Sequence, residues 1–212
     1  MSKRTIAGAL GALAIALALV ACTGTTEPTA PLPAIPSPSP SAVAPTPAVE
    51  VPVRPATPEP ARQPVPPVQV AIPDIGVSIP VVEVGIETGG FMELPENPAI
   101  AGWYRFGSDP SSPQGNTVIS AHVDAGNYPI GPFSKLRNLG AGATTEVTDA
   151  AGTSHLYSVQ SVTYYPKKEL PVAELFGRDG SSALVLITCG GDFDSSIGRY
   201  EDNVVVIATP AA

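Results

Sequence analysis

The residues with the clearest capacity for chemistry are a cysteine, a histidine and an arginine that lie far apart in the sequence. Cys189 ends the apolar run 183–189, and His122 directly follows a second apolar run, 117–121. Arg199 comes ten residues after the cysteine. A thiolate is a strong nucleophile, an imidazole transfers protons near neutral pH, and a guanidinium stabilises negative charge. Residues of these types predict covalent catalysis by a cysteine if the fold brings them together.

The segment between Cys189 and Arg199 predicts how two of these groups meet. Gly190 and Gly191 are expected to end the first strand, and residues 190–198 are expected to form a loop. If the flanking strands are antiparallel neighbours, Arg199 returns opposite Cys189 with Cβ atoms about 5 Å apart. The guanidinium would then favour the thiolate or hold an oxyanion. Thr188, a candidate substrate-binding residue, is expected either to shape this site or to pack in the core.

The number of cysteines leaves Cys189 without an evident partner. The chain has two cysteines, and the other, Cys22, lies at the end of the apolar N-terminal segment. If Cys22 carries a lipid, Cys189 is alone, and an odd thiol in an exported domain indicates an intermolecular bond or a reactive nucleophile, although a lone cysteine is also commonly an inert core residue. His155 stands at the predicted start of a strand, and we interpret it as structural rather than catalytic.

The N-terminus has the pattern of an export signal. Lys3 and Arg4 precede an apolar run over residues 6–21, which is short for a membrane-spanning helix. The run ends in Leu19-Val20-Ala21-Cys22, which resembles the lipobox of bacterial lipoproteins. That resemblance implies a signal peptide over residues 1–21, a lipid on Cys22, and a protein held at the outer side of the cell membrane. An uncleaved hydrophobic anchor is the alternative.

Composition divides the rest of the chain into a tether and one domain. Fifteen of the 26 prolines fall between residues 23 and 67, in a segment that cannot bury enough apolar surface to fold. Residues 22–67 are therefore predicted to be a disordered tether, and residues 68–212 to be a single domain. The net charge of −8 argues against a nucleic-acid partner. The acidic residues near Cys189 lack the spacing of a calcium loop, so no metal is predicted.

The domain has the pattern of an all-β fold. Short runs rich in Val, Ile, Thr and Tyr alternate with turn residues, and several runs are apolar throughout, which indicates burial on both faces. Only residues 133–139 and 172–176 suggest short helical turns. The pattern predicts a closed or sandwiched sheet. The predicted strands are 68–72, 78–84, 117–121, 144–148, 155–163, 183–189 and 203–209.

Four separated motifs stand out in the domain. They are Gly102-Trp103-Tyr104, Gly115-Asn116-Thr117-Val118-Ile119-Ser120-Ala121-His122-Val123-Asp124, Leu186-Ile187-Thr188-Cys189-Gly190-Gly191 and Arg199-Tyr200-Glu201-Asp202-Asn203-Val204-Val205-Val206. Together they resemble the class F sortases, and the order His, Cys, Arg with separations of 67 and 10 residues fits that family as well. Val185 replaces the first threonine of the family's Thr-Leu-x-Thr-Cys motif, but the Thr188–Cys189 pair is present.

This resemblance implies an eight-stranded β-barrel that acts on peptides without a metal or another cofactor. Cys189 would attack the Thr–Gly bond of an LPxTG-like sorting signal in a secreted protein. An amine acceptor, such as a cell-wall precursor, or water would then resolve the thioester. The resemblance also implies His122 as the general acid and base, and Arg199 as the residue that holds the oxyanion or positions the substrate.

Two other classes of protein remain open at the level of sequence. One is a lipid-anchored binding or scaffold module that keeps the barrel without turnover. The other is an L,D-transpeptidase acting on peptidoglycan, although that class places a Ser-His-Gly shortly before its cysteine and no histidine lies near Cys189 here.

Overall fold

The computed structural model describes residues 62–196 and 198–211. The predicted signal peptide, Cys22 and the predicted tether up to residue 61 lie outside this range. Two residues that precede the predicted start of the domain already contact it. Arg62 forms an ion pair with Asp109, and the carbonyl oxygen of Pro66 accepts a hydrogen bond from the backbone of Ala150.

The described residues form a closed barrel of eight strands. Around the barrel the strands follow the order β1-β2-β3-β4-β7-β8-β6-β5, and β5 returns to β1. The β2–β3 and β4–β7 pairs are parallel and the other pairs are antiparallel. The strands are β1 (Pro67–Ile72), β2 (Val77–Val84), β3 (Ala101–Tyr104), β4 (Asn116–Ser120), β5 (Thr144–Asp149), β6 (Ser154–Pro166), β7 (Ala183–Asp194) and β8 (Arg199–Pro210).

Within residues 62–196 and 198–211, helical structure is confined to short segments. A 3₁₀ helix over Pro132–Asn138 and a single α-turn over Val172–Leu175 fall at the two places where the sequence suggested helical turns. Two further 3₁₀ turns cover Pro73–Ile75 and Lys167–Glu169. In the described part of the chain, no helix combines the length and the apolar character needed to cross a membrane.

Strands β4, β7 and β8 are buried on both faces, as their continuous apolar runs predict. Ile119, Leu186 and Val206 belong to the main core, which draws on strands from the whole barrel. The alternate residues Val118 and Ile187 belong to a second apolar cluster on the opposite face of the same strands. Because side chains alternate along a strand, residues two apart on this part of the sheet share a face. The second cluster marks the face that carries the site described below.

The predicted closed all-β fold is confirmed, with two differences in the strands. β3 was not predicted, because its four residues are too few to give an alternating pattern. The loop expected over residues 190–198 is wrong: β7 continues to Asp194, and β8 begins at Arg199. A register shift between Gly190 and Phe193 absorbs the irregularity, so the two glycines bend the hairpin without ending it.

Candidate active site

The parallel pair β4–β7 brings His122 and Cys189 to matching positions. Ser120 at the end of β4 is in register with Ile187 of β7, and the backbone N–H of Ala121 donates to the carbonyl of Ile187 at 3.2 Å. His122 follows Ser120 by two residues and Cys189 follows Ile187 by two. Cys189 therefore continues the face of β7 that carries Ile187 and the second apolar cluster, and His122 lies at the matching level just beyond the end of β4. Both residues are partly exposed, as a reactive site requires.

Two buried side-chain hydrogen bonds hold the strand ends in this register. The hydroxyl of Ser120 donates to the carbonyl oxygen of Ile187 at 2.9 Å. In the reverse direction, the hydroxyl of Thr188 donates to the carbonyl oxygen of Ala121 at 2.8 Å. Thr188 is 3% exposed, so it lies beneath the site and supports the backbone on which His122 and Cys189 stand.

Lys167 is a functional candidate that the sequence interpretation missed. Its ammonium nitrogen lies 3.5 Å from the sulfur of Cys189. Lys167 follows the last residue of β6, and β6 pairs with β8, whose residue Asn203 is directly opposite Cys189. The sequence separation of 22 residues gave no sign of this contact. The order of strands around the barrel, which local patterns do not reveal, creates it.

Arg199 does not lie opposite Cys189, and the expected cross-strand pair is wrong. In the β7–β8 hairpin, Arg199 pairs with Asp194 and Cys189 pairs with Asn203. The physical reason is the extension of β7 past the two glycines, which moves the turn and places Arg199 four residues from the level of the cysteine. At about 3.3 Å per residue this is about 13 Å along the strand. Arg199 is exposed at the end of the hairpin.

The segment after His122 is tied to the start of β8. The phenol of Tyr200 donates to the carboxylate of Asp124 at 2.5 Å. That hydrogen bond, with burial and the negative charge of Asp124, raises the pKa of Tyr200. Tyr200 also stacks edge-on against Phe193 across the hairpin. The conformation of the segment carrying His122 therefore depends on the β7–β8 hairpin next to the cysteine.

Burial and two charged neighbours set the pKa of His122. Burial lowers its pKa below the usual 6.5, the nearby carboxylate of Asp124 raises it, and the ammonium of Lys167 lowers it. The lowering effects are larger, so the neutral imidazole is the main form at pH 7. A neutral imidazole accepts a proton, and once protonated it is a stronger acid than an ordinary histidine.

An apolar cleft of about 300 Å³ lies next to the cysteine. Its floor includes Ile187, two residues before Cys189 on the same face, and Asn203, the cross-strand partner of Cys189. The β2–β3 connection and the β6–β7 connection supply the other walls. Residues of these walls include Ile86, Phe91, Met92, Leu94, Leu170, Val172 and Phe176. The lining of the cleft is mainly apolar, so it is suited to apolar groups.

Other residues considered from the sequence lie elsewhere. His155 is part of a structural pair, because its Nε2 is 2.8 Å from the carboxylate of the buried Asp149. Cys22 lies outside the described residues. Within residues 62–196 and 198–211, no three His, Cys, Asp or Glu side chains converge in the manner of a metal site.

Comparison with solved structures places the fold among known barrels. Sortase C-1 from Actinomyces oris is 22% identical, with a TM-score of 0.54 over 71% of this chain and 76% of that one. The pilus-related sortase C of Group B Streptococcus is 19% identical, with a TM-score of 0.53 over 70% and 68% of the two chains. Sortase A from Corynebacterium diphtheriae is 17% identical, with a TM-score of 0.51 over 72% and 63%. At these identities the likeness concerns the fold.

Sequence comparison identifies the family. No curated protein sequence matches the chain. The family profile of the Sortase domain, however, matches residues 70–211, which include the whole barrel except the first residues of β1. The chain therefore belongs to the sortase family.

Proposed function

We propose that the chain is a cysteine transpeptidase of class F that cleaves an LPxTG-like sorting signal between Thr and Gly. The acyl group passes from Cys189 to an amine, such as that of a cell-wall precursor, or more slowly to water. The observation that carries the proposal is that His122 and Cys189 both lie two residues beyond the Ser120–Ile187 pair of the parallel strands β4 and β7, beside an apolar cleft. A nucleophile, a proton carrier and an apolar cleft are thereby combined.

In the first half-reaction the sulfur of Cys189 attacks the carbonyl carbon of the threonine. The proton of the thiol passes to the neutral imidazole of His122, and the carbonyl oxygen takes up the negative charge of the tetrahedral intermediate. When the intermediate collapses, the bond from carbon to the glycine nitrogen breaks. His122 returns its proton to that nitrogen, which leaves as an amine while the threonine stays on the sulfur as a thioester.

In the second half-reaction the acceptor amine attacks the thioester carbon. His122 removes a proton from the amine, and the carbon–sulfur bond breaks as the new amide forms; Cys189 leaves as a thiolate, which takes back the proton from His122. The lowered pKa of His122 suits both steps, because its neutral form is available as a base and its protonated form is a ready acid. Water in place of the amine gives hydrolysis.

The cleft supports a substrate with apolar residues ahead of the scissile bond. Its lining is mostly apolar, and exposed side chains such as Phe91 and Val172 stand at its edges. The leucine and proline of a sorting signal would bury apolar surface there, with the threonine carbonyl at the sulfur. Arg199, at the end of the β7–β8 hairpin and away from the level of the sulfur, is proposed to position the peptide once substrate is bound.

The proposed location is the outer face of the cell membrane. The lipobox-like Leu19-Val20-Ala21-Cys22 supports a lipid on Cys22, and the proline-rich segment that follows would serve as a tether. Mass spectrometry of the mature N-terminus tests this directly. We expect a diacylglycerol-modified Cys22, and an unmodified cysteine in a retained N-terminus would contradict it.

The activity is tested by incubating the protein with an LPxTG peptide and hydroxylamine. The expected products are the peptide hydroxamate ending at threonine and the free glycine fragment, both absent with Cys189→Ala. Mass spectrometry of the protein should show the acyl group on Cys189 before hydroxylamine is added. A folded protein that captures no acyl group from a library of LPxTG-like peptides would contradict the proposal and favour a binding or scaffold module.

A further inference from the structure

The region around the nucleophile lacks the guanidinium expected from the sequence but contains a different cation. Arg199 lies about 13 Å along the hairpin from the level of Cys189, whereas the Nζ of Lys167 is 3.5 Å from the sulfur. We propose that the ammonium of Lys167 is the positive charge that stabilises negative charge on the Cys189 sulfur. This inference rests on the proposed function for its role in turnover, but it concerns the free enzyme and is tested there.

Lys167 lies near the sulfur because paired residues of β6, β8 and β7 form a row across the sheet. Tyr165 of β6 pairs with Asn203 of β8, which in turn pairs with Cys189 of β7. Lys167 comes two residues after Tyr165, at the point where β6 ends and a 3₁₀ turn begins. Its side chain crosses the level of β8 and reaches the sulfur on the far side. A long, flexible lysine side chain suits this span.

The same cation acts on both members of the catalytic pair. Lys167 contacts the sulfur of Cys189, and its charge also bears on His122, where it disfavours the imidazolium. The ammonium of Lys167 therefore favours negative charge on the Cys189 sulfur and the neutral form of the His122 imidazole. The charge on that sulfur changes when it attacks the peptide and again when it leaves the thioester, so Lys167 contributes electrostatic stabilisation at the reacting atom.

Lys167 also links the nucleophile to the cleft. It opens the β6–β7 connection, and the same connection supplies Leu170, Val172 and Phe176 to the cleft wall. A peptide that packs against this wall would therefore contact the segment that carries the ammonium.

The test compares alkylation of Cys189 by iodoacetate, which is anionic, and by iodoacetamide, which is neutral, at one fixed pH without substrate. A change in the fraction of thiolate affects both rates equally, so their ratio reports the charge beside the sulfur. Lys167→Gln is expected to lower the ratio of the iodoacetate rate to the iodoacetamide rate by about fivefold. Lys167→Arg is expected to keep it close to the wild-type value.

Lys168→Gln is the matched control, because it removes the same formal charge from the neighbouring exposed residue. It is expected to leave the ratio unchanged. Equal ratios for wild type and Lys167→Gln, or equal reductions in Lys167→Gln and Lys168→Gln, would overturn the inference. Circular dichroism of each variant confirms that the compared proteins are folded.

The LPxTG peptide assay is run on the same variants to separate the two proposals. Peptide cleavage that does not depend on Lys167, together with an unchanged alkylation ratio, would refute the role of Lys167 and leave the proposed function intact. A ratio that depends on Lys167 in a protein that cleaves no sorting peptide would support the cation and refute the proposed function.

Discussion

The hydroxyl of Thr188 donates a hydrogen bond to the carbonyl oxygen of Ala121 at 2.8 Å, so the residue before the nucleophile holds the residue before the histidine. One step earlier along each strand, Ser120 donates to the carbonyl oxygen of Ile187 at 2.9 Å. Each strand thus supplies one buried hydroxyl to the backbone of the other. These two hydrogen bonds hold the backbones that carry the thiol and the imidazole from below the site, and the Tyr200–Asp124 hydrogen bond adds a contact at its surface.

Removal of the Thr188 hydroxyl should weaken both the fold and the site. Thr188→Val keeps the shape of the side chain but leaves the carbonyl of Ala121 without this donor. Such a loss costs about 1–3 kcal/mol in the free energy of unfolding, and we expect slower acylation of Cys189 in the variant that remains folded. Urea unfolding and the hydroxamate assay measure the two effects. Thr188→Ser, which keeps the hydroxyl, should retain more activity than Thr188→Val; the reverse order would contradict this role.

Gly131 closes the segment that begins with His122, and an added methyl group should displace it. A Cβ at Gly131 would stand 2.7 Å from the carbonyl oxygen of His122 and 2.8 Å from that of Pro98. Overpacking of this kind costs about 1–3 kcal/mol, and here the strain falls on Pro98, whose Cβ is 2.6 Å away, and on the backbone of the histidine. Gly131→Ala is therefore expected to lower both the melting temperature and the rate of peptide cleavage.

Gly126 offers the control within the same segment. A Cβ at Gly126 would meet nothing within 4 Å, and its backbone is not in the left-handed region. Gly126→Ala should therefore leave stability and cleavage close to wild type. Equal effects of the two substitutions would show that the close approach at Gly131 does not matter.

The protonation of His122 should move in opposite directions when its two charged neighbours are changed. Lys167 lowers the pKa of His122 and Asp124 raises it. Lys167→Gln should therefore raise this pKa, and Asp124→Asn should lower it further below 6.5. The chain has two histidines, so the signals in an NMR titration are few, and His122→Gln identifies the relevant one. Shifts of the same sign in both variants would contradict the electrostatic arrangement of the site.

The elements of the fold follow from the sequence because burial leaves a local pattern. The apolar runs of β4, β7 and β8 showed strands buried on both faces, and the side chains of these runs do alternate between two apolar clusters. Strand β3 escaped prediction because four residues, one of them Gly102, carry too little pattern. Closure of the barrel depends on which strands pair, and that information is spread over the whole chain.

The sequence predicts the site residues that follow the ends of buried strands, but it does not predict those whose positions depend on the register between paired strands. His122 and Cys189 could be identified because each follows a buried strand, and such ends meet at one edge of a sheet when the strands are parallel neighbours. The position of Arg199 could not be predicted, because Gly190 and Gly191 indicate the end of a strand although β7 runs on to Asp194. The contact of Lys167 with Cys189 could not be predicted for a related reason. It depends on the pairing of β6 with β8, which no local sequence spacing indicates.

The ion pair between Arg62 and Asp109 should make the free energy of unfolding depend on pH in the acidic range. Asp109 is 2% exposed, and burial alone would raise the pKa of its carboxyl group. Arg62, Ser111 and Ser112 donate hydrogen bonds to the carboxylate, and these lower the pKa from 3.8 to about 2. A carboxylate with a lowered pKa stabilises the folded state above its unfolded pKa, and this contribution is lost as the pH falls from about 4 to about 2.

Replacement of Arg62 should remove part of this contribution. Arg62→Gln leaves the buried carboxylate of Asp109 without its cation, which should cost about 1–2 kcal/mol at pH 7, since one pKa unit corresponds to about 1.4 kcal/mol and Arg62 is half exposed. The difference from wild type in urea unfolding should shrink as the pH falls through this range, because Asp109 becomes protonated in both proteins. Arg178→Gln, which removes an exposed arginine from the same surface depression, is the control and should cost less. A pH-independent difference would mean that Arg62 stabilises the barrel by packing rather than by its charge.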